Sequence, residues 1–191
     1  MQRLPGSAGE ASPRFETTMP FTPDTLLAFL ATHAITATTH SHPPVHTVAE
    51  SRALRGDIPG AHTKNLFLRD AKKNYFLVAI SEETPVDLKG LRAKIGARGG
   101  LSFGSPEALY EKLGVLPGAV TLLAAANDDS QQVTIAIDEA LLAAPFVNCH
   151  PLTNEMTTSL APAELLRFLS VTGHAPLTIS MADADGAGTS D

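Results

Sequence analysis

Lys64 stands in the run Thr63-Lys64-Asn65-Leu66-Phe67-Leu68, at the mouth of an apolar, strand-like segment. Lysine is rarely buried unless it is paired or employed. A cation leading into a core strand of an acidic chain suggests a site for an anion or a polarised carbonyl. The competing reading is a surface lysine at a strand end. His150-Pro151-Leu152-Thr153-Asn154 is a second candidate. A proline-stiffened turn can aim an imidazole and an amide into one cavity, or it can simply satisfy its own backbone groups. The third is Gly100-Leu101-Ser102-Phe103-Gly104. Its G-x-S-x-G pattern matches a nucleophile elbow, but no strong strand precedes it. Bare glycine backbone offering N–H groups to an oxyanion is the preferred role.

Two further patterns carry less. His40, His42 and His46 have the spacing H-x-H-x₃-H. Pro43 and Pro44 interrupt any regular element there, and no nearby carboxylate or cysteine completes a shell, so no metal is expected. Cys149 and His150 are adjacent. Neighbours on a strand point to opposite faces, so a buried structural cysteine is expected in place of a thiol–imidazole pair. No phosphate-loop or dinucleotide glycine pattern is present, and no cofactor is expected.

The elements that must position these groups follow from periodicity and caps. Thr22 and Pro23 open a helix to Thr32, with Leu26, Leu27, Phe29 and Leu30 on its apolar face. Ile35 to Thr39 reads as a strand, and Thr47 with Glu50 makes a capping box for a short helix to Leu54. Thr63–Arg69 and Asn74–Ile80 form a hairpin around Asp70-Ala71-Lys72-Lys73. Helices are expected over Val86–Ile95, from Ser105-Pro106 to Leu113 before Gly114, and from Ala161-Pro162 to Val171. Strands are expected at Ala119–Ala126, Gln132–Ile137, Phe146–Cys149, Met156–Leu160 and Leu177–Met181. The alternation predicts an α+β fold with a mixed, partly barrel-like sheet covered by helices.

Composition sets the bounds. A chain of 191 residues, 43% hydrophobic, supports one good core. Residues 1–19, rich in Gly, Ser, Pro and charge, are expected to be a disordered leader. Residues 20–181 are expected to form a single domain, and 182–191 a flexible tail. No apolar run reaches the roughly 18–20 residues of a membrane span. A lone cysteine excludes an internal disulfide, and with no signal sequence the expected location is the cytoplasm. Net charge is −6, yet residues 52–98 hold ten of the fourteen basic residues against five acids. A basic middle in an acidic chain can dock a polyanion locally.

Taken in order, these segments resemble a known family. They are Thr63–Leu68, Gly100–Gly104, Leu113–Thr121, His150–Asn154 with Thr157–Leu160, and Leu165–Leu169 with Gly173-His174-Ala175-Pro176. The chain is similar to the YbaK/prolyl-tRNA synthetase-associated domain family, most of all to its free-standing ProXp-ala type, over roughly residues 22–179. The resemblance implies a trans-editing hydrolase that deacylates mischarged Ala-tRNA(Pro). It implies a strand lysine at Lys64, a substrate loop of Gly100, Leu101, Ser102 and Gly104, and a turn of His150, Pro151, Leu152 and Asn154. Ala124-Ala125-Ala126-Asn127 departs from the bulkier residues of many relatives, which leaves the preferred amino acid open.

The expected catalytic residues are Lys64, His150 and Asn154. Val45, Gly100, Leu101, Ser102, Gly104, Pro151 and Leu152 are expected to line the substrate pocket. Arg52, Arg55, Lys72, Lys73, Arg92, Lys94 and Arg98 are the candidates for docking the tRNA. The expected partner is the acceptor end of aminoacyl-tRNA, with prolyl-tRNA synthetase as a candidate and no membrane. Three alternatives stand beside this. One is a deacylase for Cys-tRNA(Pro) or another small aminoacyl-tRNA. Another is a nonenzymatic nucleic-acid-binding module, which the absence of Trp and the presence of only two Tyr disfavour. The last is a small-molecule hydrolase using Ser102.

Overall fold

The computed structural model describes residues 20–43 and 58–182. In chain order the strands are β1 (Ala37–Ser41), β2 (Ala61–Asp70), β3 (Tyr75–Ser81), β4 (Leu101–Phe103), β5 (Val133–Asp138), β6 (Val147–Cys149), β7 (Met156–Leu160) and β8 (Leu177–Ile179). The helices are α1 (Pro23–Thr32), α2 (Leu88–Lys94), α3 (Pro106–Leu113), α4 (Glu139–Leu142) and α5 (Pro162–Val171), with a 3₁₀ helix at Leu122–Asn127. The expected α+β class is present. All eight strands join one mixed sheet in the order β1-β7-β6-β2-β3-β5-β8, with β4 paired to β2. The sheet stays open, because β1 and β8 end the path and do not pair.

Strand β2 organises the sheet. One edge pairs antiparallel with β3 along nearly its whole length, from Thr63↔Ser81 to Arg69↔Tyr75. The other edge is shared. β6 runs parallel to its start through Ala61↔Val147 and His62↔Asn148, and β4 runs antiparallel to its end through Leu68↔Phe103 and Asp70↔Leu101. Between these two partners, among the described residues, the stretch around Lys64 and Asn65 has no neighbouring strand on that edge. Neither sheet face is wholly apolar. Phe67, Leu77 and Ala79 face a core built with Leu26, Leu30, the 3₁₀ helix, Leu165 and Phe168. Leu66, Leu68, Phe76, Val78 and Ile80 face Leu91 and Ile95 of the α2 region. In the first half of β2 this second face carries His62 and Lys64, while Thr63 and Asn65 lie on the first.

Local chemistry explains most elements. The Thr22 side chain accepts from the Thr25 N–H, and the Thr25 hydroxyl returns the bond to the Thr22 N–H. Ser105 caps α3, Pro106 fills its first turn, and Gly114 ends it in the left-handed region at φ 63°. Asp70 closes the β2–β3 turn by accepting from the N–H groups of Lys72, Asn74 and Arg98. Three elements differ from expectation: strand β4 lies in the expected glycine loop, the short helix α4 was not expected, and one apolar run takes another conformation. Ala119–Ala126, expected as a strand, forms a 3₁₀ helix from Leu122, because the Thr121 hydroxyl accepts from the Leu123 N–H. Its small alanines fit a buried single turn, and an apolar run of that length does not by itself distinguish strand from helix. The capping box at Thr47 and Glu50 lies outside the described residues. No described helix is long and apolar enough to cross a membrane.

Candidate active site

Alternation along β2 places His62 and Lys64 on one face, two residues apart. The paired strand adds Asn148 beside His62, and β7 adds Ser159 beside Asn148. The hydrogen bonds agree with this register: Ser159 Oγ donates to Asn148 Oδ1, and Asn148 Nδ2 lies 3.4 Å from His62 Nε2. Lys64 is half-buried, and its ammonium donates to the Thr84 carbonyl at 2.7 Å. That single anchor fixes the head group and leaves two of its three N–H bonds for other acceptors. The lysine is therefore a held cation at the margin of the core.

His150 follows β6 directly, one residue past the strand. Its Nδ1 is 3.1 Å from the Met156 carbonyl. A carbonyl only accepts, so Nδ1 carries a proton. Pro151 is buried, while Leu152 packs on the main core with φ 64°, a strained backbone for a leucine. Asn154 is half-buried at the other end of the same turn. The turn thus sits at the end of β6 that runs alongside the Lys64 part of β2. Its strain is held by the packing of Leu152.

The glycine loop takes a different place. Leu101–Phe103 is strand β4, and Leu101 lies opposite Asp70, six residues from Lys64, or about 20 Å along β2. Ser102 is opposite Arg69, exposed, and its hydroxyl reaches the Arg69 carbonyl at 3.4 Å. Gly104 is nearer, with its N–H on the Phe67 carbonyl. A Cβ there would meet the Phe67 ring at 2.4 Å, so the glycine is required for that ring to pack. Gly100 has open space around it. Val45 lies outside the described residues, as do Arg52, Arg55 and His46.

The basic residues gather toward the far end of β2. Lys72 and Lys73 form the β2–β3 turn, and Arg98 is joined to Asp70 through its backbone N–H. Arg92 on α2 reaches the Gly99 carbonyl at 3.4 Å, and Lys94 donates to the Ser180 carbonyl. All five side chains are exposed. Burial pushes the Asp70 carboxyl up, but the bonds it accepts from Arg98, Asn74 and Lys72 outweigh this and hold it at about 2. It stays ionised and rigidifies the turn that carries the lysines.

Cys149 is buried, and burial pushes its thiol up to about 12, which leaves no thiolate near neutral pH. The residue packs in the main core, as expected of a structural cysteine. His42 is occupied too: its Nδ1 donates to the Pro43 carbonyl, and its Nε2 is hydrogen-bonded to the Thr157 hydroxyl at 3.0 Å. Among the described residues no group of three His, Cys, Asp or Glu side chains could hold a metal.

This arrangement offers a held cation, polar donors and acceptors on one sheet face, and a strained turn beside them. Neither nucleophile candidate of the sequence is activated among the described residues: the buried Cys149 thiol is neutral, and Ser102 is exposed at the far end of β2. Residues 42–168 match the model of the aminoacyl-tRNA editing domain. The chain belongs to that family.

The editing domain has close relatives in distant organisms. It is 39% identical over 154 residues to prolyl-tRNA synthetase associated domain-containing protein 1 of Danio rerio, covering 80% of this chain and 83% of the relative. It is 34% identical over 134 residues to the prolyl-tRNA editing protein ProX of Acetoanaerobium sticklandii, covering 70% and 81%. A solved structure of a candidate trans-editing enzyme for prolyl tRNA synthetase superposes with a TM-score of 0.64 at 22% identity, covering 83% of this chain and 96% of that one. That likeness speaks for the fold.

Two residues of this editing domain's polar face escaped the sequence reading. His62 precedes Lys64 by two, the period that puts strand residues on one face. Asn148 is a lone amide in the apolar run Phe146-Val147-Asn148-Cys149. Either spacing could have drawn attention to it; their contact needed the β2–β6 pairing.

Proposed function

We propose that the protein is a trans-editing hydrolase that removes alanine from mischarged tRNA(Pro). The observation that carries the reading is the match across most of the chain to a relative named as a prolyl-tRNA editing protein. The held lysine supports it, as does the inert state of Cys149 among the described residues. A synthetase pocket that fits proline cannot strongly exclude alanine, because each missing methylene is worth only about 1–3 kcal/mol. A second site that admits the smaller residue supplies the missing discrimination.

Hydrolysis of the ester needs a placed water and a stabilised tetrahedral oxyanion. Lys64, anchored on the Thr84 carbonyl, supplies a positive charge for the terminal phosphate, the ribose or the developing oxyanion. His150 and Asn154 orient the aminoacyl group or the water, and Pro151 and Leu152 form the rigid wall that limits its size. The vicinal ribose hydroxyl of the substrate helps activate the water, so no protein general base is required. Gly104 supports the Phe67 side of the site, whereas Gly100, Leu101 and Ser102 accompany the basic end and meet the body of the tRNA. Lys72, Lys73, Arg92, Lys94 and Arg98 dock the acceptor stem, and prolyl-tRNA synthetase is a candidate partner that supplies the charged tRNA.

The test is incubation with Ala-, Cys-, Ser- and Pro-charged tRNA(Pro), following ester loss. Preferred loss of alanine is expected. Preferred loss of cysteine would move the substrate to the sibling activity, and absence of turnover on all four would sink the editing reading.

A further inference from the structure

An exposed aromatic ring stands on the Lys64 face of the sheet. Phe103 ends β4 and lies directly opposite Leu68 of β2, and Leu101 shares its face by alternation. Leu68 is wholly buried in the cluster with Leu91 and Ile95, and Leu101 packs against that cluster. Phe103 is not absorbed by it and stays 61% exposed. β4 runs antiparallel to β2, so Phe103 is its residue nearest to Lys64. Leu68, Leu66 and Lys64 succeed one another on the same face, which puts the ring about 13 Å from Lys64 along the strand. Just after the ring, the Gly104 N–H on the Phe67 carbonyl fixes the backbone that carries it.

The surroundings are cationic. Arg92 reaches the Gly99 carbonyl just before β4, and Arg98 is held on the same approach by its N–H on Asp70. Both side chains are exposed, and among the described residues neither is in an ion pair. An apolar protein surface covering this ring would have to strip water from those guanidinium groups. A nucleobase would not: its π face lies on the ring while the adjoining phosphate meets the cations.

We propose that Phe103 is a stacking platform for an unpaired nucleobase at the 3′ end of the tRNA. It stands between the basic end of β2, which docks the stem, and Lys64, which meets the aminoacyl end. The occupant rests on the editing reading; the exposure of the ring and its cationic surroundings do not. One ring serves one base, which suits the short unpaired end of a tRNA. Stacking tolerates any base, so the contact orients the end and does not read its sequence.

The test is a thermodynamic cycle on binding, which needs no turnover. Affinities of wild type and Phe103→Ala are measured for uncharged tRNA(Pro) and for the same tRNA with its unpaired 3′ nucleotides removed. Phe103→Ala is expected to weaken binding of the intact tRNA about tenfold and of the truncated tRNA less than about twofold. Phe103→Leu should behave like the alanine variant, because an aliphatic chain has no π face, and Phe103→Trp should keep full affinity.

Equal losses for intact and truncated tRNA, or full affinity in Phe103→Leu, would overturn the proposal and make the ring a packing residue. A wild-type dimer that Phe103→Ala dissolves in sedimentation would give the ring to a second copy and overturn it too. Coupling between ring and 3′ end, with no deacylation of any charged tRNA(Pro), would uphold the platform and remove the editing reading. Deacylation without coupling would remove the platform alone, and binding of neither tRNA would remove both.

Discussion

Lys64 combines a fixed position with spare hydrogen-bonding capacity. The Thr84 carbonyl holds its head group, and the apolar residues beyond it on β2 hold its backbone. Truncation therefore removes a charge from the face without opening the core. Lys64→Ala is expected to lower single-turnover deacylation of Ala-tRNA(Pro) at least about tenfold with an unchanged melting temperature. A near-normal rate would remove the lysine from the mechanism. The same face shows why a neutral amide can matter as much as a charge. Asn148 spends its three side-chain bonds on Ser159, Pro59 and His62, so it has no freedom to turn.

Among the elements, β4 and the β5 approach depend on single side chains. Gly104 lets the Phe67 ring lie against the backbone, and that ring is stacked on Tyr75 at 5.4 Å. A methyl at 104 meets a ring with little room to retreat, so Gly104→Ala is expected to destabilise the protein by about 1–3 kcal/mol in urea unfolding. Equal midpoints for variant and wild type would show that the ring moves freely. Asp128 performs a comparable task before β5. Burial pushes its carboxyl up, but His174 and the N–H groups of Gln132 and Val133 outweigh burial and hold it below the usual range. Asp128→Ala leaves those buried donors without an acceptor and is expected to cost about 2–4 kcal/mol, read from the same unfolding curves.

At the scale of the whole molecule, charge is separated along β2. Lys64 lies toward its start, and Lys72, Lys73 and Arg98 cluster past its end, so one strand connects the candidate chemistry to the candidate docking surface. The Lys72→Glu, Lys73→Glu double variant is expected to raise KM for charged tRNA severalfold with kcat little changed, and to flatten the dependence of binding on salt. A salt-independent KM in the wild-type protein would argue against this surface. Asp70 ties the same end to pH. Its folded value of about 2 lies below the ordinary 3.8, so its stabilisation is complete above about pH 4 and is lost as pH falls toward 2. Urea midpoints at pH 6, 4 and 2.5 should fall in that order, and Asp70→Asn should shallow the fall.

The sequence alone determined what depends on near neighbours. Thr22, Ser105, Pro106 and Gly114 marked helix ends because caps act within a few residues, and the β2–β3 hairpin was legible from its polar turn. The ordered segments also sufficed to suggest the family, which the match over residues 42–168 then showed. The 3₁₀ helix was not legible, since a buried apolar run looks alike in either conformation until its neighbours are known. The polar face was decided only by tertiary structure. The parallel register of β2 and β6 sets Asn148 beside His62 across a sequence separation of 86. Pairing between distant strands is a long-range choice, and no local spacing encodes it.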